Sequence, residues 1–248
     1  MIQVSNISLT RSGAPVLDAV SSDIPANGLV AIIGPNGAGK STLLHVLAGL
    51  LPPDTGQVTI DGRDLYQMTE QARALVLSFL TQSQDTAPRL SVRDLISFGR
   101  WPHHRGRPKA ADIAVIDDAI DRFDLADLAQ REISQLSGGQ KQRAYVAMAY
   151  AQGTPWMFLD EPLAALDPKY SRDIMERLRG LSDRTILLVL HDLSIAANYA
   201  DWVVALKDGK VHTQGAWADT ITSSTLSDLY DVPLKLSDVD GEKTVIWG

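Results

Sequence analysis

Gly34-Pro35-Asn36-Gly37-Ala38-Gly39-Lys40-Ser41-Thr42 fits G-x-x-x-x-G-K-[S/T], the phosphate-cradling P-loop. Before it run the apolar residues Leu29-Val30-Ala31-Ile32-Ile33, which read as a buried strand. After it run Leu43 to Leu50, which read as a helix. Glycines let the backbone turn tightly and aim its N–H groups inward, and the helix N-terminus adds partial positive charge. In such a loop Lys40 reaches the β- and γ-phosphates and the Ser41 hydroxyl meets Mg²⁺. A Gly-rich turn with one surface lysine is the bland alternative, and the strand and helix on either side argue against it. The loop alone specifies only a nucleotide.

Composition narrows the field. The chain has 248 residues, enough for a substantial core in one large or two small domains. A net charge of −7 argues against a general electrostatic grip on nucleic acid. With no cysteine, disulfides and thiolate metal sites are excluded. No apolar run approaches the roughly 18–20 residues that span a bilayer. Met1 to Asn6 lacks the basic and apolar regions of a secretory signal, so membrane association is expected to go through a partner.

Along the chain, Ile2, Val4, Ile7 and Leu9 suggest a strand, and Val16 to Ile24 another before Pro25-Ala26-Asn27-Gly28. Pro52-Pro53-Asp54-Thr55-Gly56 stops the helix after the P-loop. Short strands follow at Gln57–Ile60 and Leu75–Leu80. Ser91-Val92-Arg93-Asp94 resembles a capping box with Asp in place of Glu, opening a helix to about Phe98. Gly99 to Pro108 reads as a basic, turn-rich loop. Ile113, Ile116, Ile120 and Phe123 then mark an amphipathic helix with an acidic outer face. The stretch from about 88 to 152 is thus expected as a helical insertion in an α/β chain. Beyond it come strands at 156–159 and 185–190 and helices at about 169–181 and 193–200. A hairpin is expected at 202–206 and 210–213, split by Asp208-Gly209.

Leu136-Ser137-Gly138-Gly139-Gln140 opens a helix and is a second possible anion site, although Ser-Gly-Gly alone is a common helix-entry turn. Phe158-Leu159-Asp160-Glu161 fits a Walker B strand. Such a strand presents Asp160 to a Mg²⁺ shell, with Glu161 next to it to polarise a water. In isolation these would read as a solvated acidic pair, and His191 as a structural histidine. The P-loop, Gln82, Leu-Ser-Gly-Gly-Gln, Asp160-Glu161, Leu166-Asp167 and His191 nevertheless occur in one order at compatible spacings.

Over essentially its whole length the chain resembles the ATP-binding subunit of an ABC transporter. The resemblance implies an α/β fold: a P-loop NTPase core with an N-terminal antiparallel β subdomain and an inserted α-helical subdomain, all in one domain of residues 1–248. It implies ATP and Mg²⁺, with Gly34, Pro35, Asn36, Gly37, Ala38, Gly39, Lys40, Ser41 and Thr42 around the phosphates and Mg²⁺. Gln82 would touch Mg²⁺ and the attacking water. Ser137, Gly138, Gly139 and Gln140 would face ATP held by a second copy. Asp160 would bind Mg²⁺ through water, and Glu161 would be the general base. Asp167 would cross a dimer interface, and His191 would meet the γ-phosphate. The family's adenine-stacking aromatic is replaced here by Arg11, whose guanidinium can lie flat on a base.

The partners implied are a second copy, two transmembrane permease subunits and, indirectly, a substrate-binding protein, with no nucleic acid. The implied location is peripheral, on the cytoplasmic face of the cell membrane. Ser97 to His103 is similar to the Gly-Arg-aromatic-Pro segment of ATPases for iron–siderophore, haem and cobalamin uptake. Glu161 to Asp167 and Leu229-Tyr230-Asp231-Val232 resemble the ferric-siderophore branch. Haem, cobalamin or another metal chelate is the alternative cargo, and a soluble non-transport ABC ATPase the alternative class. The basic residues from Arg100 to Lys109 are either a membrane-subunit contact or a solvated loop.

Overall fold

The computed structural model describes residues 1–82 and 89–248, which form two compact units, Met1–Met68 with Thr185–Gly248, and Thr69–Arg184. In the first unit, strands β1 (Ile2–Arg11), β2 (Ala14–Ile24) and β3 (Gly28–Ile33) lead into helix α1 (Lys40–Leu47), then β4 (Thr55–Ile60) and β5 (Arg63–Asp64). The second unit runs through α2 (Glu70–Ala74), β6 (Leu77–Leu80), α3 (Val92–Phe98), α4 (Trp101–His104) and α5 (Ala110–Arg122). It closes with α6 (Gly138–Ala151), β7 (Trp156–Leu159) and α7 (Pro168–Arg179). The chain then returns to the first unit as β8 (Thr185–Val189), α8 (Leu193–Tyr199), β9 (Trp202–Lys207) and β10 (Lys210–Ala216). Helices α9 (Trp217–Thr220) and α10 (Ser223–Tyr230) and the hairpin of β11 (Leu234–Val239) and β12 (Glu242–Trp247) complete it.

The first unit holds an antiparallel sheet in the order β2-β1-β4-β5. Ile2, Val4, Ile7 and Leu9 are its buried face on β1. The shift from even to odd positions has a local cause. Asn6 adopts a left-handed backbone at φ 51°, and the pairing with β2 slips between Val4 and Ile7. A bulge of this kind inserts one residue and turns the following side chains to the other face. Beside this sheet in the same unit, β3 runs parallel to β8 on one edge and β9 on the other. Strands buried on both faces lose the polar alternation, which is why Leu29 to Ile33 and Ile186 to Val189 read as continuous apolar runs.

In the second unit β6 and β7 are parallel neighbours, and α3 and α5 pack against α6. Helices α3 to α6 lie within the stretch expected from about 88 to 152, whose first residue, 88, is outside the described residues. Ser91 caps α3 as its sequence implies, with its Oγ accepting from the Asp94 N–H and Asp94 accepting from the Ser91 N–H. The Gly99–Pro108 stretch is only partly a loop. Pro102 sits in the first turn of α4, where its fixed φ suits a helix and its missing N–H is not needed.

Candidate active site

The phosphate loop belongs to the first unit and leaves β3 at Gly34, whose φ of 147° favours glycine. A Cβ there would run into the carbonyl oxygen of Leu206 on β9. Gly39 is the left-handed N-cap of α1 at φ 95°. Between them Asn36 and Gly37 form an exposed crest, while Ser41 and Thr42 lie half-buried in the first turn of α1. That turn carries no acidic side chain, so its positive end is uncompensated and suited to an anion. Lys40 is 6% exposed and arches back over the loop, donating from Nζ to the carbonyls of Gly34 at 2.8 Å and Pro35 at 2.9 Å. The cation is thereby held at the mouth of the cradle.

His191 is in the same unit, just beyond β8. The β3–β8 ladder pairs Ile32 with Val189, and the Leu190 N–H still donates to the Ile32 carbonyl at 3.2 Å. His191 thus follows the end of β8 as Gly34 follows the end of β3. Its neighbour Asp192 caps α8 by accepting from the Ile195 N–H at 3.0 Å, fixing the turn that carries the histidine. Arg11 lies exposed at the end of β1, opposite Ala14.

The acidic pair belongs to the second unit. Parallel pairing continues past Leu80 and Leu159, where the Asp160 N–H donates to the Leu80 carbonyl at 2.9 Å. Both strands therefore deliver their next residues to one place. Gln82 Nε2 donates to Glu161 Oε2 at 2.6 Å, while Asp160 is buried at 4% exposure. Glu161 has φ 49°, an uncommon backbone for a residue with a long side chain. Such strain, about 1–3 kcal/mol, persists where the surroundings over-determine it and concentrates at functional sites. The Gln82–Glu161 hydrogen bond joins residues 79 apart in sequence, and no local pattern announces it.

Ser137 caps α6 in the second unit, accepting from the Gln140 N–H and donating its own N–H to Gln140 Oε1 at 3.1 Å. Gln140 is thus occupied in holding the turn. Ser137 and Gly138 are exposed, and the first turn of α6 has no acidic residue. Asp167 caps α7 by accepting from the Tyr170 N–H at 3.1 Å, with Pro168 following it. The Asp-Pro pair is a helix-start signal that can be read from sequence.

Arg100 corrects the picture of a uniformly exposed basic segment. Its guanidinium is buried against Asp112 at 3.0 Å, with side-chain exposures of 11% and 7%. It also donates to the Ala151 and Gln152 carbonyls at the end of α6, closing that helix. The Lys109 N–H and the Arg100 guanidinium hold the Asp112 carboxyl below the ordinary aspartate range despite burial. Trp101, Arg105 and Arg107 remain at the surface, and Phe98 and Leu75 are exposed as well.

Known proteins resemble this chain in sequence and in fold. The ABC transporter family profile matches residues 17–164. The petrobactin import ATP-binding protein YclP of Bacillus subtilis is 38% identical over 250 residues, covering 100% of this chain and 99% of its own. Among solved structures, an ABC transporter of metal-chelate type in an inward-facing conformation aligns with a TM-score of 0.85 at 25% identity. That alignment covers 100% of this chain and 96% of the other. The dimeric ATP-binding cassette MJ0796, bound to ADP and Pi after hydrolysis, aligns at TM-score 0.78 and 28% identity, over 87% of this chain and 98% of the other. With its phosphate loop, its Ser-Gly-Gly helix cap and its Asp-Glu strand end, the chain belongs to the ABC transporter family, as an ATPase of that family.

Proposed function

We propose that this ATPase powers an importer of ferric siderophores. It works as a head-to-tail homodimer docked on two transmembrane permease subunits at the cytoplasmic face of the membrane, served indirectly by a substrate-binding protein. The observation that carries the catalytic part is the 2.6 Å hydrogen bond from Gln82 to Glu161, because it orients the Glu161 carboxylate from just beyond the neighbouring strand β6. Glu161 takes a proton from water as the water oxygen bonds to the γ-phosphorus and the bond to ADP breaks. Lys40, Thr42 and the amides of Gly34 to Gly39 hold the phosphates, and His191 meets the γ-phosphate. Arg11 faces the adenine.

The oxygens offered by Ser41, by Asp160 and by the Gln82 amide are hard donors, and Mg²⁺ takes such donors together with phosphate and water. Gln82 Nε2 is turned to Glu161, so its Oε1 is the atom left for the cation. When bound, Mg²⁺ would offset phosphate charge. Ser137 and Gly138, exposed at the head of α6, present the turn that closes on ATP held by the second protomer. Gln140 supports that turn, and Asp167 lies at the dimer interface. The dimeric MJ0796 cassette supports this assembly. The YclP relative supports siderophore uptake. The Gly99-Arg100-Trp101-Pro102 segment, similar also to haem and cobalamin ATPases, keeps those two cargoes as the second reading.

Glu161→Gln tests the site directly. It removes the base but keeps the size and most hydrogen bonding of the side chain. ATP turnover should fall about 100-fold or more, while size-exclusion chromatography with ATP should still show a dimer. Rapid turnover by this variant rejects the assignment.

A further inference from the structure

Within the first unit, the C-terminal helix α10 reaches back to the phosphate loop. Tyr230, the last residue of α10, accepts a hydrogen bond from the Gly34 N–H at 3.1 Å through its hydroxyl oxygen. Gly34 is the hinge between β3 and the loop. Without a Cβ its φ and ψ are soft, so contacts from outside the loop decide how it is set. The Leu206 carbonyl on β9 bounds it on one side, and Lys40 Nζ holds its carbonyl at 2.8 Å. Its N–H is held by Tyr230. One residue therefore connects the C-terminal helix to the lysine of the loop.

The helix end is itself anchored. Lys207, at the end of β9, donates to the Asp228 carbonyl at 2.6 Å and pairs with Asp231 Oδ1 at 2.7 Å. Leu226 and Leu229 are fully buried beneath α10. Asp231 leaves the helix in a left-handed conformation at φ 57°, and Ser227 Oγ accepts from the Leu234 N–H at 2.9 Å, tying the helix to β11. A second contact reaches the loop from β9–β10, where the Gly209 N–H donates to the Ala38 carbonyl at 3.3 Å. Burial pushes the Tyr230 hydroxyl up to about 12, so it stays neutral in any physiological buffer. A neutral phenol keeps a weak, directional acceptor beside a loop that must remain attractive to phosphate.

We propose that Tyr230 is a positioning residue of the phosphate loop, through which α10 sets the affinity for the phosphates of ATP. The proposal rests on the reading that Gly34 to Thr42 holds those phosphates. In Tyr230→Phe the ring and its packing remain and only the acceptor is lost. The KM for MgATP and the Kd for MgADP, the latter by calorimetry, should rise about 3- to 10-fold, the worth of one neutral hydrogen bond. The kcat at saturating ATP should stay within about twofold, since the loss falls on binding common to substrate and transition state. A purely structural hydroxyl would lower the melting temperature and leave both constants unmoved, and that result overturns the proposal. Should Tyr230→Phe fold poorly, Lys207→Met, which frees the helix end without touching the ring, should raise both constants in the same direction by less. Unchanged constants there also overturn it. If the wild-type protein itself fails to bind MgATP, the underlying reading of the loop is what has failed.

Discussion

A methyl group placed on Gly138 meets nothing within 4 Å, whereas one placed on Gly139 lands on the Tyr170 ring. The two glycines look alike in sequence and answer to different constraints. Gly139 is buried and lets α6 lie against α7, so Gly139→Ala should lower the unfolding free energy by about 1–3 kcal/mol, the usual effect of overpacking. Gly138→Ala should leave the melting curve in place and reduce ATP turnover, because its crowding falls on whatever approaches the exposed turn. Thermal unfolding and steady-state hydrolysis separate the two outcomes. Equal melting temperatures for the two variants would refute the packing argument. Residue types were legible in the sequence here: two glycines, a serine, an acidic pair. Which glycine is spaced by a ring was not, because Tyr170 lies 31 positions on and meets Gly139 only when α6 and α7 pack.

At the scale of elements, strands and helices with clear periodicity were readable, including the Ser91–Asp94 cap and the α5 stripe of buried Ile116 and Ile120. Helix α4 was not, since four residues bearing Trp101, Pro102 and two histidines show no period. Helix α10 is not legible either, its Leu226 and Leu229 being too few to mark a stripe before the chain turns into β11. Arg100 shows how an element overrides local composition. Among basic neighbours it reads as surface charge, yet the ends of α5 and α6 enclose it with Asp112. Since folding lowers the Asp112 pKa, the pair contributes stability above the unfolded aspartate value and loses it as pH falls through the folded value. Asp112→Asn should therefore be less stable than wild type at neutral pH by about 1–3 kcal/mol. The gap should narrow as the pH drops below about 4. Denaturant melts at pH 7 and pH 3.5 check the sign, and a gap that widens in acid contradicts it.

At the scale of the molecule, none of the helices among the described residues is long and apolar enough to cross a membrane. The exposed Trp101 and Phe98, with Arg105 and Arg107 nearby in sequence, offer an apolar and cationic face on the second unit. Reversing Arg105 and Arg107 to Glu should impair ATP-driven uptake in vesicles carrying the co-purified membrane subunits, more than it weakens ATP binding. Intact uptake would reject the docking role. Ferric siderophore, haem and cobalamin offered in parallel to the wild-type assembly would identify the cargo. By itself, the sequence determined the family and the chemistry: phosphate loop, Walker strand and helix-capping turn are local patterns, specified by residue type and spacing. The tertiary structure decided how those patterns are held. The first unit is made from both ends of the chain, so Tyr230 meets Gly34 across 196 positions, and parallel strands carry Gln82 to Glu161 across 79. Hydrogen bonds between residues so distant leave no periodic trace, because only folding brings the partners together.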